Sequence, residues 1–120
     1  MPANLPLARN GLSNHLSIDL DEGTLEIVKA APGSIYSVEI TNLGNATRFV
    51  KIYDAVSGPA GTGTPVVVIA VPTLQTVVWH AGGVGIKFSV GICIGATTGV
   101  AHNNTGAPGA NEVVVNVTFK

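Results

Sequence analysis

Charged residues are scarce in this chain. Asp, Glu, Lys and Arg make up 11% of its 120 residues, with a formal net charge of −1, whereas an ordinary soluble domain has about 25%. The basic residues are scattered and form no stripe that would follow a phosphate backbone, which argues against nucleic-acid binding. Contiguous apolar patches on so weakly charged a surface usually mark an interface. We therefore expect other subunits to cover much of the exterior.

Disulfide, export and membrane signals are also missing. Cys93 is the only cysteine, so the fold cannot depend on an internal disulfide. The first residues lack the continuous apolar stretch of an export signal, and we expect residues 1–14 to form an extended arm. Residues 84–101 are the most membrane-like run, but Lys87 interrupts them and a membrane helix needs about 20 predominantly apolar residues. We expect no membrane partner.

Helical signals are nearly absent, because 15 glycines and 7 prolines are spread among β-branched residues. Alternation of apolar and polar residues predicts strands instead, most clearly in NEVVVNVTFK at the end of the chain. About eight strands are expected, near residues 15–20, 24–30, 35–41, 47–55, 65–71, 74–79, 86–95 and 112–119. The sequence predicts an all-β, single-domain antiparallel β-sandwich over residues 15–120, and eight strands suit a jelly roll.

Cys93 is the first candidate for chemistry. It lies in KFSVGICIGATTG, where Gly91, Gly95 and Gly99 share a strand face with it and allow another part of the structure to approach closely. A reactive thiol needs a base or a positive charge beside it, and the histidines are distant in the sequence. A buried structural thiol is the favoured interpretation.

Other candidate sites also have simpler interpretations. The chain's three histidines lack the close spacing of a zinc site and are expected in loops or at strand ends. The acidic cluster lacks the pattern of a calcium loop and is interpreted as a solvated turn. Residues 58–65, GPAGTGTP, lack the Lys-Ser/Thr ending of a phosphate-binding loop and are interpreted as a hairpin tip. Trp79 is interpreted as an apolar anchor, either in the core or at an interface, and the core is favoured. The histidines are His15, His80 and His102, the acidic cluster is Asp19, Asp21 and Glu22, and the tryptophan is Trp79. No catalytic, cofactor or metal site is predicted, and no enzyme activity.

Residues 47–101 resemble a known class of proteins. A strand ending in Lys-(Ile/Leu)-Tyr leads into a loop, then Thr-Pro and an apolar strand, then a Phe-x-x-Gly-Ile segment, as in small structural proteins of tailed-phage virions. The residues that carry the resemblance are Lys51, Ile52, Tyr53, Thr64, Pro65, Phe88, Gly91 and Ile92. The resemblance implies a β-sandwich or jelly-roll subunit on a phage particle, assembled in the bacterial host cytoplasm, with no cofactor.

Within that class, the resemblance favours a capsid cement or decoration protein, a homotrimer that binds across neighbouring major capsid subunits. In such a protein, the arm 1–14 and the loops 57–64 and 101–111 would contact neighbouring subunits, while an apolar sheet face at 65–79 would pack within the trimer. Three alternatives remain open. They are a tail, neck or other virion component, a carbohydrate-binding or adhesin sandwich, which the few aromatic residues disfavour, and a small enzyme that uses Cys93 or His80.

Overall fold

The computed structural model describes residues 12–20, 25–58 and 63–120, and within them the chain forms nine β-strands. Every pairing between these strands is antiparallel. The strands are β1 (Ser13–Ser17), β2 (Glu26–Lys29), β3 (Gly33–Asn42), β4 (Arg48–Tyr53), β5 (Val67–Val71), β6 (Gln75–His80), β7 (Ile86–Phe88), β8 (Ile92–Thr97) and β9 (Val113–Phe119). The predicted all-β antiparallel sandwich is confirmed.

The strands form two sheets. Sheet A has the order β1-β9-β3-β6, with β7 also paired to β3, and sheet B has the order β2-β8-β4-β5. The pairings are nested: β4 pairs with β5, β3 with β6 and β7, β2 with β8, and β1 with β9. One long hairpin, with its tip between β4 and β5, is thus wound into two layers, which is the strand order of a jelly roll.

The main core lies between the sheets, where alternate residues of each strand point inward. On β9 these are Val113, Val115 and Val117, all fully buried, as the alternation predicted. The largest buried side chains opposite them come from β4 and β8. The inward-facing residues of these two strands are Val50, Ile52, Ile92, Ile94 and Ala96.

The predicted strand 86–95 is in fact two strands in different sheets, β7 in sheet A and β8 in sheet B. Between them, the carboxylate of Asp54 accepts the backbone N–H groups of Ser89, Val90 and Gly91 at 3.1, 2.8 and 3.2 Å. These amides therefore bond to a side chain instead of a sheet ladder. A Cβ on Gly91 would lie 2.7 Å from the carbonyl oxygen of Ala55, so only glycine fits this crossing.

Alternation also breaks in β3, where a strict period of two would place Tyr36 on the same face as Val38 and Ile40. The β3–β9 register shifts between Ile35 and Ser37, which marks a β-bulge. A bulge sets two residues against one on the partner strand and reverses the faces beyond it. As a result, Ile35 is fully buried with Val38 and Ile40, while Tyr36 is only half-buried.

Residues 65–79 do not form one sheet face, which corrects the prediction from the sequence. They contain β5, the last strand of sheet B, and β6, the last strand of sheet A, joined by residues 72–74. The two strands contact each other across the sandwich. This part of the chain is therefore one edge of the molecule, called here the β5–β6 edge, and its residues belong to both layers.

Candidate interaction surface

The middle of the outer face of sheet B is covered by the chain itself. Residues 54–58 and 98–106 fold over it, and their backbone carbonyls accept hydrogen bonds from the strand side chains beneath. Cys93 Sγ donates to Ala55 O at 3.1 Å, and Lys51 Nζ donates to Ala101 O at 2.5 Å. Leu25, Tyr53 and Cys93 form a second small buried cluster there. The middle of this face is therefore a second core, while Ile27 and Val68 stay exposed at its two edges.

Lys51 is the unexpected member of this second core. It has 0% exposure, although lysines are almost never fully buried unless paired. Its pairing partner on the neighbouring strand β8 is Gly95, which has no side chain and so leaves room for the lysine stem. Burial lowers the pKa of the Lys51 amine. The alternation in TRFVKIYDA predicts only one buried face for β4, yet nearly all of β4 and all of β8 are buried. The unbroken apolar run ICIGA was the available signal for β8.

Cys93 is buried, as the sequence predicted, and burial raises the pKa of its thiol. Because the thiol proton is donated to Ala55 O, the group is held as a neutral hydrogen-bond donor. A raised pKa is the opposite of what a nucleophilic cysteine requires. The geometry therefore matches a structural role for Cys93.

The histidines lie in three different places. His80 ends β6 and His102 lies in the 98–106 loop, as predicted, and both are exposed. His15 corrects the prediction of loop or strand-end histidines, because it lies within β1 and its Nε2 is 2.5 Å from Glu26 Oε2. In the described ranges, no group of three or more His, Cys, Asp or Glu side chains is placed to hold a metal ion. Nor do these ranges contain a helix long and apolar enough to cross a membrane.

The other predicted features lie only partly within the described residues. Asp19 accepts the backbone N–H of Asn111 at 2.7 Å, while Asp21 and Glu22 lie outside the described residues. GPAGTGTP falls in the connection between the paired strands β4 and β5, in agreement with a hairpin tip, although residues 59–62 are outside the described ranges. Trp79 packs against the main core, as favoured. Most of the predicted arm is also outside these ranges.

The outer face of sheet A is open and nearly uncharged. One row across the sheet contains Leu16, Asn116, Glu39 and Val78, of which Glu39 is the only acid or base. Side chains on this face hydrogen-bond to each other, Thr41 with Thr76 at 2.8 Å and Asn14 to Asn116 at 3.2 Å. The face is polar with isolated apolar side chains, and the half-buried Tyr36 at the bulge of β3 is the aromatic residue beside it.

The two edges of the sandwich differ in charge. At the β1–β2 edge, Glu26 accepts from Ser17 at 2.9 Å, contacts His15, and is followed on β2 by Lys29. At the β5–β6 edge there is no charge, because residues 55–86 contain no Asp, Glu, Lys or Arg. The low overall charge is visible in the sequence, but the sequence does not show that this uncharged stretch lies at one edge, because that depends on β5 and β6 coming together.

Large apolar side chains remain exposed around the molecule even though the core is complete. Among the described residues they are Leu12, Leu16, Ile18, Ile27, Leu43, Val56, Val66, Val68, Leu74, Val78, Val84, Val90 and Val100. Several lie on or beside the β5–β6 edge. No protein-family model matches the chain, and no curated protein matches its sequence.

Proposed function

We propose that this chain is a non-enzymatic structural protein of a phage virion, a cement or decoration protein that stabilises the head by binding across neighbouring major capsid subunits. The observation that carries the proposal is the weakly charged exterior with many exposed apolar side chains around a complete core. Such an exterior suits a protein that is largely covered by other subunits in its working state. The resemblance of residues 47–101 to virion proteins supplies the kind of particle.

Further support comes from the inert chemistry of the described residues. Cys93 is a neutral, buried donor and Lys51 is fully covered by residues 98–106. Cement proteins need many cooperative contacts per particle, and neither charge nor chemistry is required. A tail or neck component is the nearest alternative, since the same surface would suit it.

The proposal predicts that the purified chain binds to phage heads that lack it, and that the N-terminal arm contributes to this binding. The truncation should remove residues 1–11 only, because Ser13 and Asn14 belong to β1 and Asn14 Nδ2 donates to Asn116 Oδ1 at 3.2 Å. Electron microscopy of heads and whole virions of the phage that encodes the chain provides the measurement. We expect density across capsid subunit boundaries, and about tenfold weaker binding of the truncated chain.

Circular dichroism is the control that the truncated chain keeps its β-sheet fold. Density confined to the tail or neck would replace the capsid assignment with the alternative, and absence of the chain from virions would overturn the proposal. Equal binding of the full and truncated chains would remove the arm from the contact.

A further inference from the structure

We infer that the β5–β6 edge is the surface on which a second copy of this chain binds. The inference does not depend on the proposed function, since it concerns the isolated protein. It follows from three features of this edge: its unpaired strands, its lack of charge, and a strained, exposed leucine at its end.

Both strands of this edge are terminal in their sheets. β5 pairs only with β4, and β6 pairs only with β3, within the described part of the chain. A terminal strand leaves a row of backbone N–H and C=O groups free on its outer side, ready to pair with another strand. Because β5 and β6 lie on the same side of the sandwich, two such rows are presented together.

Natural proteins protect exposed strand edges with charged side chains, proline or bulges. The β1–β2 edge follows this rule, with Glu26 and Lys29 on β2 and a register shift between Ile27 and Lys29. β5 and β6 lack these features along their length. Neither strand contains Asp, Glu, Lys, Arg or proline, and neither pairing shifts register; Pro65 and Pro72 lie outside the strands, and His80 is the last residue of β6. The contrast within one molecule indicates that the β5–β6 edge is left unprotected because it is covered when the protein works.

Leu74, in the connection between β5 and β6, has a φ of +57° and is 73% exposed. A left-handed backbone at a bulky residue is strained, and Gly or Asn would be the ordinary choice at such a turn. Strain of this kind is found where the residue has a function. A leucine kept at the tip of an uncharged edge is suited to contact with an apolar partner.

Charge complementarity identifies the occupant as a second copy. Residues 55–86 offer no charge to an acidic or basic partner, so the partner surface must itself be uncharged there. The same edge of another copy meets this requirement. When a two-fold axis relates two β5 strands, they run antiparallel, as strand pairing requires, and each free edge is satisfied by its equivalent.

Two matched pairs of lysine substitutions test the inference. Val68→Lys on β5 and Val78→Lys on β6 place charge at the β5–β6 edge. The controls Ile27→Lys on β2 and Leu16→Lys on β1 place it on the same two outer faces at the opposite edge. The exposures are comparable, 40% for Val68 against 46% for Ile27, and 50% for Val78 against 55% for Leu16.

Light scattering after size exclusion, over a range of protein concentrations, gives the mass of each variant. We expect the unmodified chain and both controls to associate, and Val68→Lys and Val78→Lys to associate at least about tenfold more weakly, because like charges meet at the contact. A dimer would support the inference, and a closed trimer would overturn it, because a three-fold axis does not bring equivalent strands together. An unmodified chain that stays monomeric throughout would overturn it, as would equal weakening by the controls.

Leu74→Asn keeps the test valid if the lysine variants fold poorly. Asparagine tolerates the left-handed backbone, so this variant should unfold at the same or a higher denaturant concentration than the unmodified chain. If Leu74 contacts a second copy, association weakens even though the fold does not. Association unchanged in a well-folded Leu74→Asn variant, together with no effect of Val68→Lys, would exclude the edge as the contact.

Discussion

At the scale of single residues, Lys51 is the clearest departure from ordinary protein chemistry. A fully buried ammonium loses its hydration, and the hydrogen bond to Ala101 O replaces only part of it. The same carbonyl also accepts the backbone N–H of Asn104 at 3.0 Å. The lysine thus secures the 98–106 loop over sheet B, at a cost to stability.

Replacing this lysine with an apolar side chain of similar length should therefore stabilise the fold. We expect Lys51→Met to increase the free energy of unfolding at pH 7 by about 1–2 kcal/mol. Because burial lowers the folded-state pKa, the unfolded chain binds more protons between that pKa and the ordinary lysine value of about 10.4. The contribution of Lys51 to stability should therefore rise with pH through this window, and the difference between the unmodified chain and Lys51→Met should shrink.

Urea unfolding at pH 7 and pH 10 provides the measurement. Lys87→Met, which removes an exposed lysine from β7, is the matched control and should change neither value by more than about 0.5 kcal/mol. Destabilisation by Lys51→Met would contradict the argument, because it would mean that the ammonium contributes more through its contacts than it costs through burial.

At the scale of elements, the crossing from sheet A to sheet B is held by one carboxylate. Asp54 follows β4 and accepts three backbone N–H groups from the segment between β7 and β8. The bond from Val90 is the largest cause of the lowered pKa of this carboxyl group, with smaller contributions from Gly91 and Ser89. A single side chain thereby fixes where one strand ends and the next begins.

Asp54→Asn should loosen this crossing while leaving the sheets formed. The amide has one acceptor oxygen and sets an NH₂ group against N–H donors. Since the folded-state pKa of Asp54 is lowered, its stabilisation is present above the ordinary aspartate value of about 3.9 and is lost as pH falls through the folded-state value. We expect the variant to be less stable than the unmodified chain at pH 7, and the difference to vanish in acid.

Hydrogen exchange of the 89–91 amides and urea unfolding at several pH values would measure the effect. Glu39→Gln removes an exposed carboxylate from sheet A and is the control. The hydrogen bond from Arg48 also lowers the pKa of Glu112, so the unmodified chain loses stability in acid for more than one reason. The difference in stability between the unmodified chain and Asp54→Asn isolates the contribution of Asp54. Unchanged protection of the three amides in Asp54→Asn would show that packing alone holds the crossing.

At the scale of the whole molecule, some surfaces are covered by the chain itself and others are open to a partner. The chain covers the middle of the outer face of sheet B with its own loops and protects the β1–β2 edge with Glu26 and Lys29. It leaves the outer face of sheet A and the β5–β6 edge open. A partner therefore meets a surface with almost no charge.

Association through such a surface should resist salt. Screening shortens the range of charge interactions to about 3 Å at 1 M salt, but it has nothing to weaken at an uncharged contact, and sulfate strengthens apolar burial. We expect the mass from light scattering to be the same in 0.05 M and 1 M NaCl, and association to be tighter in sodium sulfate. Dissociation in 1 M NaCl would assign the contact to charged residues, such as those of the β1–β2 edge.

The sequence by itself determined the all-β class, most strand positions, the burial of Cys93 and the packing of Trp79 against the core. Period-two alternation and turn residues are local properties, so they can be read along the chain, as β9 demonstrates. The structural interpretation of Cys93 followed from its apolar surroundings. The low charge likewise predicted a protein that is covered in use, a prediction that remains to be tested.

Only the tertiary structure decided which residues share a face. The bulge at Tyr36, the split of 86–95 by Asp54, and the burial of Lys51 all arise from contacts between residues far apart in the sequence. Residues 65–79 read as one apolar face, yet they became an edge because β5 and β6 joined different sheets. Alternation fixes which residues point the same way along one strand, but the pairing of strands, which depends on the whole chain, fixes what lies opposite them.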